Sequence, residues 1–414
     1  MFKKISFLPL SVFPIALIMG NFAINLNIII IDLFLLYYCY KSKNWSWMNN
    51  IVFRLLIIFY LYLVSNSLIS YFLSSHSNLE GLIRSIGFIK FILLGYAFNL
   101  LVQDHKILNK IMTTWFVIIS IVIFDVFFEK IFGHNTLGYV SPDLTRIISF
   151  FKDEMVVGSL ILTFGFIVTT YFLNKDLKIP SKIFFNFLLL IIPLSILISG
   201  ERSNFIKSFI IFFLIIYLIK ESKLLVKKYK FVLLIIFTFC LSGFLSQNIY
   251  TKQTEFIKRI TIIKNPEKFT DRFKNIKYFA HYDVAIKIFL DHPILGIGNK
   301  NFRHICHNEK YFNSELTFAK MRCNTHPHQV HFEILSEHGL IGYLLLFSIF
   351  FIFIKKNFIY IKLTKNIFDY STLIYLTIFF LPILPSGAFF SSFNGALFWI
   401  IFSIANLNRR KLNY

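Results

Sequence analysis

Four histidines, His326, His328, His331 and His338, crowd the stretch CNTHPHQVHFEILSEHGLIG at residues 323–342. Imidazoles grouped this way can stand solvated on an interfacial helix, bind a metal, or move a proton near neutral pH. Pro327 suits a first helical position with Asn324 or Thr325 as cap, which predicts a short helix starting here. Helical spacing then sets His328, Phe332 and Leu335 on one face and Glu333 and Glu337 elsewhere. His328 projects from the first turn, and the helix runs through Gly339 and Gly342 into an apolar segment. His326, His331 and His338 read as solvated polar residues. A zinc site would draw on His304, Cys306, His307 and the HPH run, but the spacing matches neither zinc fingers nor helical metalloprotease motifs.

The elements around this stretch are set by composition. The chain has 414 residues, 56% of them hydrophobic, and 54 phenylalanines, with a mean hydropathy of +0.66. That excludes an ordinary soluble protein and predicts an all-α polytopic membrane protein. Apolar runs of spanning length fall near 5–20, 22–40, 51–73, 82–102, 111–132, 155–173, 183–199, 204–219, 231–247, 338–354, 370–388 and 391–407, about twelve transmembrane helices. The first run lacks a small-x-small cleavage site and a second follows at once, so it reads as a span rather than a signal peptide.

The net charge of +22 is mainly a topology signal. With the N-terminus inside, Lys41, Lys106, Lys178, Lys227, Lys356 and Arg410 all fall in turns on one side, as cytoplasmic loops require. The opposite turns, such as SGERSN and SSHSNLEG, carry few Lys or Arg, apart from one long insertion at 248–337. No nucleic acid partner is called for. The whole chain, 1–414, reads as one integral membrane domain, with 248–337 as an extracytoplasmic, periplasmic loop between helices 9 and 10. Cys39 and Cys240 sit in apolar runs. Cys306 and Cys323 share the insertion, and in an oxidising periplasm they are expected to form a disulfide. Eight of the eleven histidines lie in or beside the same insertion, so chemistry is expected there, on the periplasmic face.

Several motifs together are similar to the O-antigen ligase and polymerase family, membrane glycosyltransferases that use undecaprenyl-pyrophosphate-linked glycans. They are DVFFEKIFGHNTLGY, RIISFFKDEMVVGS, SGERSNF, HPILGIGNKNFRHIC and CNTHPHQVHFEILSEHGLIG, in that order from about Asp125 onward. The resemblance implies a GT-C-like bundle of about twelve helices with a large periplasmic loop. It implies arginines that hold the lipid pyrophosphate, a histidine that activates the acceptor, and no metal or other cofactor. On that basis His328 is the expected general base. The donor would be an undecaprenyl-pyrophosphate-linked glycan and the acceptor lipid A–core or another glycan. Membrane lipids surround the site.

The chemistry fits the compartment. A transferase outside the cytoplasm needs a donor already activated, and charge then builds on the departing phosphate. The chain lacks an Asp-x-Asp pair, so arginines would stabilise that charge. Arg202, in the short SGERSN turn at a helix start, is the first candidate. Arg146 and Lys152 flank RIISFFKDE. The family's arginine in the helix before the Pro-x-x-Gly turn is missing from NIKYFAHYDVAIKIF, which has His281; Arg272 or Arg259 is expected to take its place. Arg84 lies close enough to the outer end of its span to snorkel. Lys90, deeper in that span, would face the lipid phosphate or pair with Asp125 or Glu154. His281, His326 and Glu154 are supporting residues. A lipid-linked-glycan transporter is the competing class, but such proteins show matched halves, and here the polar residues gather in one loop.

Overall fold

The computed structural model describes residues 7–73, 78–143, 145–152, 154–175, 177–221 and 276–407. The described elements are α and 3-10 helices, without a strand among the described residues. Among the described residues, six helical segments are long and apolar enough to cross a membrane: Asn21–Ser42, Ile51–Leu73, Leu79–Leu101, His105–Phe132, Ile179–Ile198 and Val330–Thr364. Val157–Leu173, Ile367–Phe379 and Ser392–Ala405 are apolar but shorter. The described residues are therefore all-helical and of polytopic membrane character.

Several expected runs are broken. The first divides at Val12 into Leu8–Ser11 and Phe13–Ile18, each with a proline in its opening turn. The fourth divides at Gly87 and Phe88 into Leu79–Ile86 and Ile89–Leu101. The run expected at 370–388 stops at Phe379, because residues 381–387, LPILPSG, place two prolines and a glycine where a helix would need free N–H donors. This non-helical connection forms part of the site. The run at 231–247 lies outside the described residues.

The histidine stretch also departs from expectation. The helix begins at Val330, not at Pro327, and Gln329 is its N-cap, its side chain accepting from the backbone N–H of His331 and of Phe332. Gln329 is buried and its amide is well placed to satisfy orphan N–H groups, which makes it a better cap here than the exposed Thr325. His328 is therefore in the loop before the helix, in a left-handed conformation with φ 58°. The expectation that His326 and His338 are solvated is corrected as well: His338 is fully buried and His326 is 9% exposed.

The Val330–Thr364 helix is interrupted at Gly339 (φ 61°, ψ −167°). The turn after the Lys277–Asp291 helix fits into the interruption. Ile297 N–H donates to Ser336 O and Gly298 N–H to Glu337 O, while Leu340 N–H donates to Pro293 O. Backbone groups freed by the break are thus satisfied by the turn. The approach is close enough that a Cβ on Gly339 would lie 2.3 Å from Ile294 O, and one on Gly296 2.5 Å from Glu337 C.

Candidate active site

A cavity of about 2100 Å³ opens among the ends of these helices. One part of its wall is apolar, with Leu162, Ile206, Ile211, Ile378 and Phe379. The rest is polar and cationic: eight lysines and arginines line it against four carboxylates. His328 and His326 are the histidines on its wall.

Hydrogen bonding separates these two. His326 Nε2 lies 3.3 Å from Ser386 O and its Nδ1 3.0 Å from Thr325 Oγ1. A carbonyl only accepts, so Nε2 carries the proton and Nδ1 accepts from the threonine hydroxyl. Both nitrogens are committed. His328 is half-buried, and among the described residues no hydrogen bond occupies either of its ring nitrogens. Its ring lies 4.2 Å from His326, 5.3 Å from His281 and 5.4 Å from Tyr278, centroid to centroid. Burial, with the neighbouring His281 and Lys277, pushes the imidazole down to about 4. At neutral pH it presents a free lone pair to the cavity.

His281 is fully buried and its Nδ1 is 2.9 Å from Arg322 O. The carbonyl fixes the proton on Nδ1, leaving Nε2 as an unpartnered acceptor. Burial lowers its basicity too. His331, off the cavity, is held by Tyr343 Oη at 3.0 Å and Phe380 O at 2.8 Å.

Arg202 is the first residue of the Arg202–Glu221 helix and lines the cavity. Among the described residues no side-chain hydrogen bond or ion pair engages its guanidinium. Next to it, Ser203 Oγ donates to Pro385 O, and Ser386 N–H donates to His328 O at 2.8 Å. One short connection therefore holds the arginine and the histidine together. Arg146 and Glu154 also line the cavity. The 145–147 segment sits on the turn before Arg202, with Ile147 N–H donating to Ser199 O. Glu201 is buried there, accepting from Gly158 N–H, Ser159 Oγ and Asn204 Nδ2.

Lys90 is not on the cavity wall. Its ammonium donates to Asn25 Oδ1 at 2.7 Å, whereas Asp125 receives Thr136 N–H and Ser149 Oγ; neither expected pairing forms. Lys152 likewise lies off the wall, its ammonium over the Tyr139 ring. Arg272 and Arg259 lie outside the described residues. Cys306 and Cys323 are joined as a disulfide. With His307 they bring three potential ligand atoms within 4.8 Å, but the bond takes both thiolates that the zinc alternative would need.

Sequence reasoning missed Lys277, Arg84, Lys300 and Arg303 on the cavity wall. Lys277 had a signal: it begins the very helix in which an arginine was sought. Arg84 donates to Ser392 Oγ at 2.9 Å.

Residues 186–347 match the model of the family described as O-antigen ligase. Over this stretch, less than half of its length, the chain is similar to the O-antigen ligase family. The match takes in Arg202, Lys277, His281, His326 and His328 and ends beyond the helix break at Gly339. No curated protein matches the chain. O-antigen ligase domains belong to glycosyltransferase-like membrane enzymes that handle lipid-linked glycans, and the apolar helices agree with that setting.

Proposed function

We propose that the protein transfers a glycan from a lipid diphosphate to a sugar hydroxyl, by inversion and without a metal. The observation that carries this reading is His328: the cavity histidine whose ring nitrogens no described residue engages, on a wall of cations. The acceptor hydroxyl gives its proton to His328 as its oxygen bonds the anomeric carbon. The bond from that carbon to the diphosphate breaks, and its electron pair leaves with the phosphate oxygen. Arg202, with Arg146 and Lys277, meets that charge. The apolar wall takes the first part of the polyprenyl chain. A diphosphate against Lys277 offsets a charge that depresses His328, so the base strengthens when the donor is seated.

In this reading the chain has about twelve spans, and the 248–337 insertion and the cavity face the periplasm of a bacterial inner membrane. Arg84, Arg146, Arg202, Lys277 and His328 all belong to segments that the lysine distribution assigns to that side. The donor is undecaprenyl-pyrophosphate-linked glycan and the acceptor lipid A–core, which makes the protein an O-antigen ligase. A polymerase, joining one lipid-linked repeat to another, has in its favour a second group of cations on the cavity, Arg84, Lys300 and Arg303. The lipopolysaccharide gel of a deletion strain tests both. Core without any O-chain supports the ligase, core with a single repeat the polymerase, and an unchanged ladder sinks both.

A further inference from the structure

Glu80 is shared by two arginines. Arg303 Nη1 is 3.0 Å from its Oε2 and Arg84 Nε 3.7 Å from its Oε1, and all three residues line the cavity. A carboxylate gripped by two guanidinium groups marks where an anion sits. Its side chain is 45% exposed, so it can give way to a ligand. Each arginine keeps donor capacity beyond this contact. Arg84 is steadied through Nη1 by Ser392 Oγ, and Arg303 Nε is buried without a partner.

Lys300 adds a third charge. It is 4% exposed, lies on the cavity wall, and is held with φ at 61°. Among the described residues no carboxylate lies within ion-pairing distance of its ammonium. Glu333 and Glu337 are buried within its electrostatic reach and accept instead from the backbone N–H groups of Phe389 and Phe302. The two carboxylates offset its charge at a distance, and its ammonium keeps donor capacity for an anion in the cavity. Lys300 also acts electrostatically on His326, whose ring lies tilted at 4.2 Å from that of the base, so an anion bound here lies on the same cavity as the base.

This group is built from other elements than the Arg202 group. Arg84 is on the Leu79–Ile86 helix, packed against Ile51–Leu73, and Lys300 and Arg303 follow the Gly298 turn. Arg202 begins a helix packed against Val157–Leu173, Ile179–Ile198 and Ile367–Phe379. We propose that Arg84, Lys300 and Arg303 form a second anion subsite, which takes a phosphoryl group of the acceptor glycolipid while the Arg202 group holds the donor. The inference rests on the transferase reading for the word acceptor. The phosphoryl group is either a sugar phosphate on a core saccharide or the diphosphate of a second carrier lipid.

The test uses the full chain in lipid nanodiscs, with farnesyl diphosphate, a phosphorylated glucosamine disaccharide and its dephosphorylated twin as probes. Wild type carrying one equivalent of farnesyl diphosphate should bind the phosphorylated disaccharide and not the twin. Arg84→Gln with Arg303→Gln should weaken that binding about tenfold or more, as expected for lost charge-assisted hydrogen bonds, and leave the first equivalent of farnesyl diphosphate unchanged. Glu80→Gln, which frees both arginines, should tighten it and so guards against a mere folding defect. A second equivalent of farnesyl diphosphate that competes with the disaccharide and is lost in the double variant identifies the carrier-lipid source; rejection of a second equivalent identifies the sugar phosphate. Equal binding of the twin, equal loss of the first farnesyl diphosphate, or weaker binding in Glu80→Gln overturns the subsite. No turnover is read here, so absence of glycan transfer with these affinities intact would count against the transferase reading alone.

Discussion

The backbone N–H of Ser386 donates to the carbonyl oxygen of His328 across 2.8 Å, pinning the candidate base to the connection that also receives Ser203. With φ at 58°, His328 stands where asparagine is tolerated and alanine is strained. His328→Asn should therefore preserve the fold and lower transfer by about 10²–10⁴, the usual worth of general-base assistance. Turnover of purified variants, beside their thermal unfolding in detergent, checks this. Wild-type turnover in His328→Asn would return the residue to a structural role.

His331→Ala should behave differently. Its nitrogens serve Tyr343 and Phe380 away from the cavity, so the change leaves the hydroxyl of half-buried Tyr343 and the Phe380 carbonyl without this partner. The expected cost is about 1–3 kcal/mol of stability, with turnover per folded molecule close to wild type. A loss of turnover matching His328→Asn would contradict the assignment.

The pH dependence follows from burial. His328 is pushed down to about 4 and His326 to about 3, while both would titrate near ~6.5 in the unfolded chain. Between about 4 and 6.5 the folded state binds fewer protons, so stability rises with pH through that window and is fully present above it. In turnover, kcat/KM should stay flat from about pH 7 to 5 and fall toward 4. The acid limb of kcat, which reports the donor-bound form, should lie at higher pH, because the diphosphate offsets Lys277. Coincident limbs would count against that compensation.

The Cys306–Cys323 bond closes a separation of 17 residues, worth about 3 kcal/mol in the chain-entropy account. Between the cysteines, Arg322 reaches back to Cys306 O and His307 O, and its own carbonyl holds His281. Replacing both cysteines with serine should lower the unfolding temperature and reduce turnover. Non-reducing mass spectrometry of protein from intact cells should recover the pair as one cross-linked peptide; two free thiols would refute the bridge.

Orientation is open to direct measurement. Reporter fusions at Lys106 and Lys356 should report the cytoplasm, and fusions at His134 and Asn313 the periplasm. A cytoplasmic signal at Asn313 would place the histidines where lipid-linked donors are assembled rather than consumed, and would undo the mechanism.

The sequence made the helical membrane class plain, since long apolar runs have few other destinations. It also singled out His328 and Arg202 as candidates, because the motifs that carry the resemblance are local. What it hid depends on chain-distant contacts. Nothing near Gln329 announces a cap that displaces Asn324 and Thr325, and nothing in LPILPSG tells that its backbone will receive Ser203 and bond His328. Arg84 and Arg303 are 219 residues apart and meet only through Glu80. Lys90 read as a phosphate ligand because a charge in an apolar run invites that reading; its partner, Asn25, lies on another helix.

The interlock of the Gly296 turn with the break at Gly339 bears on how this domain can be recombined. Each side supplies the hydrogen-bond partners of the other and leaves no room for a side chain at the crossing. The insertion is thus not a cassette. Chimeras between relatives should tolerate a junction placed well C-terminal to Ile341, and should fail when the crossover separates Pro293–Gly298 from Ser336–Ile341, even where each parent supplies its own catalytic histidine.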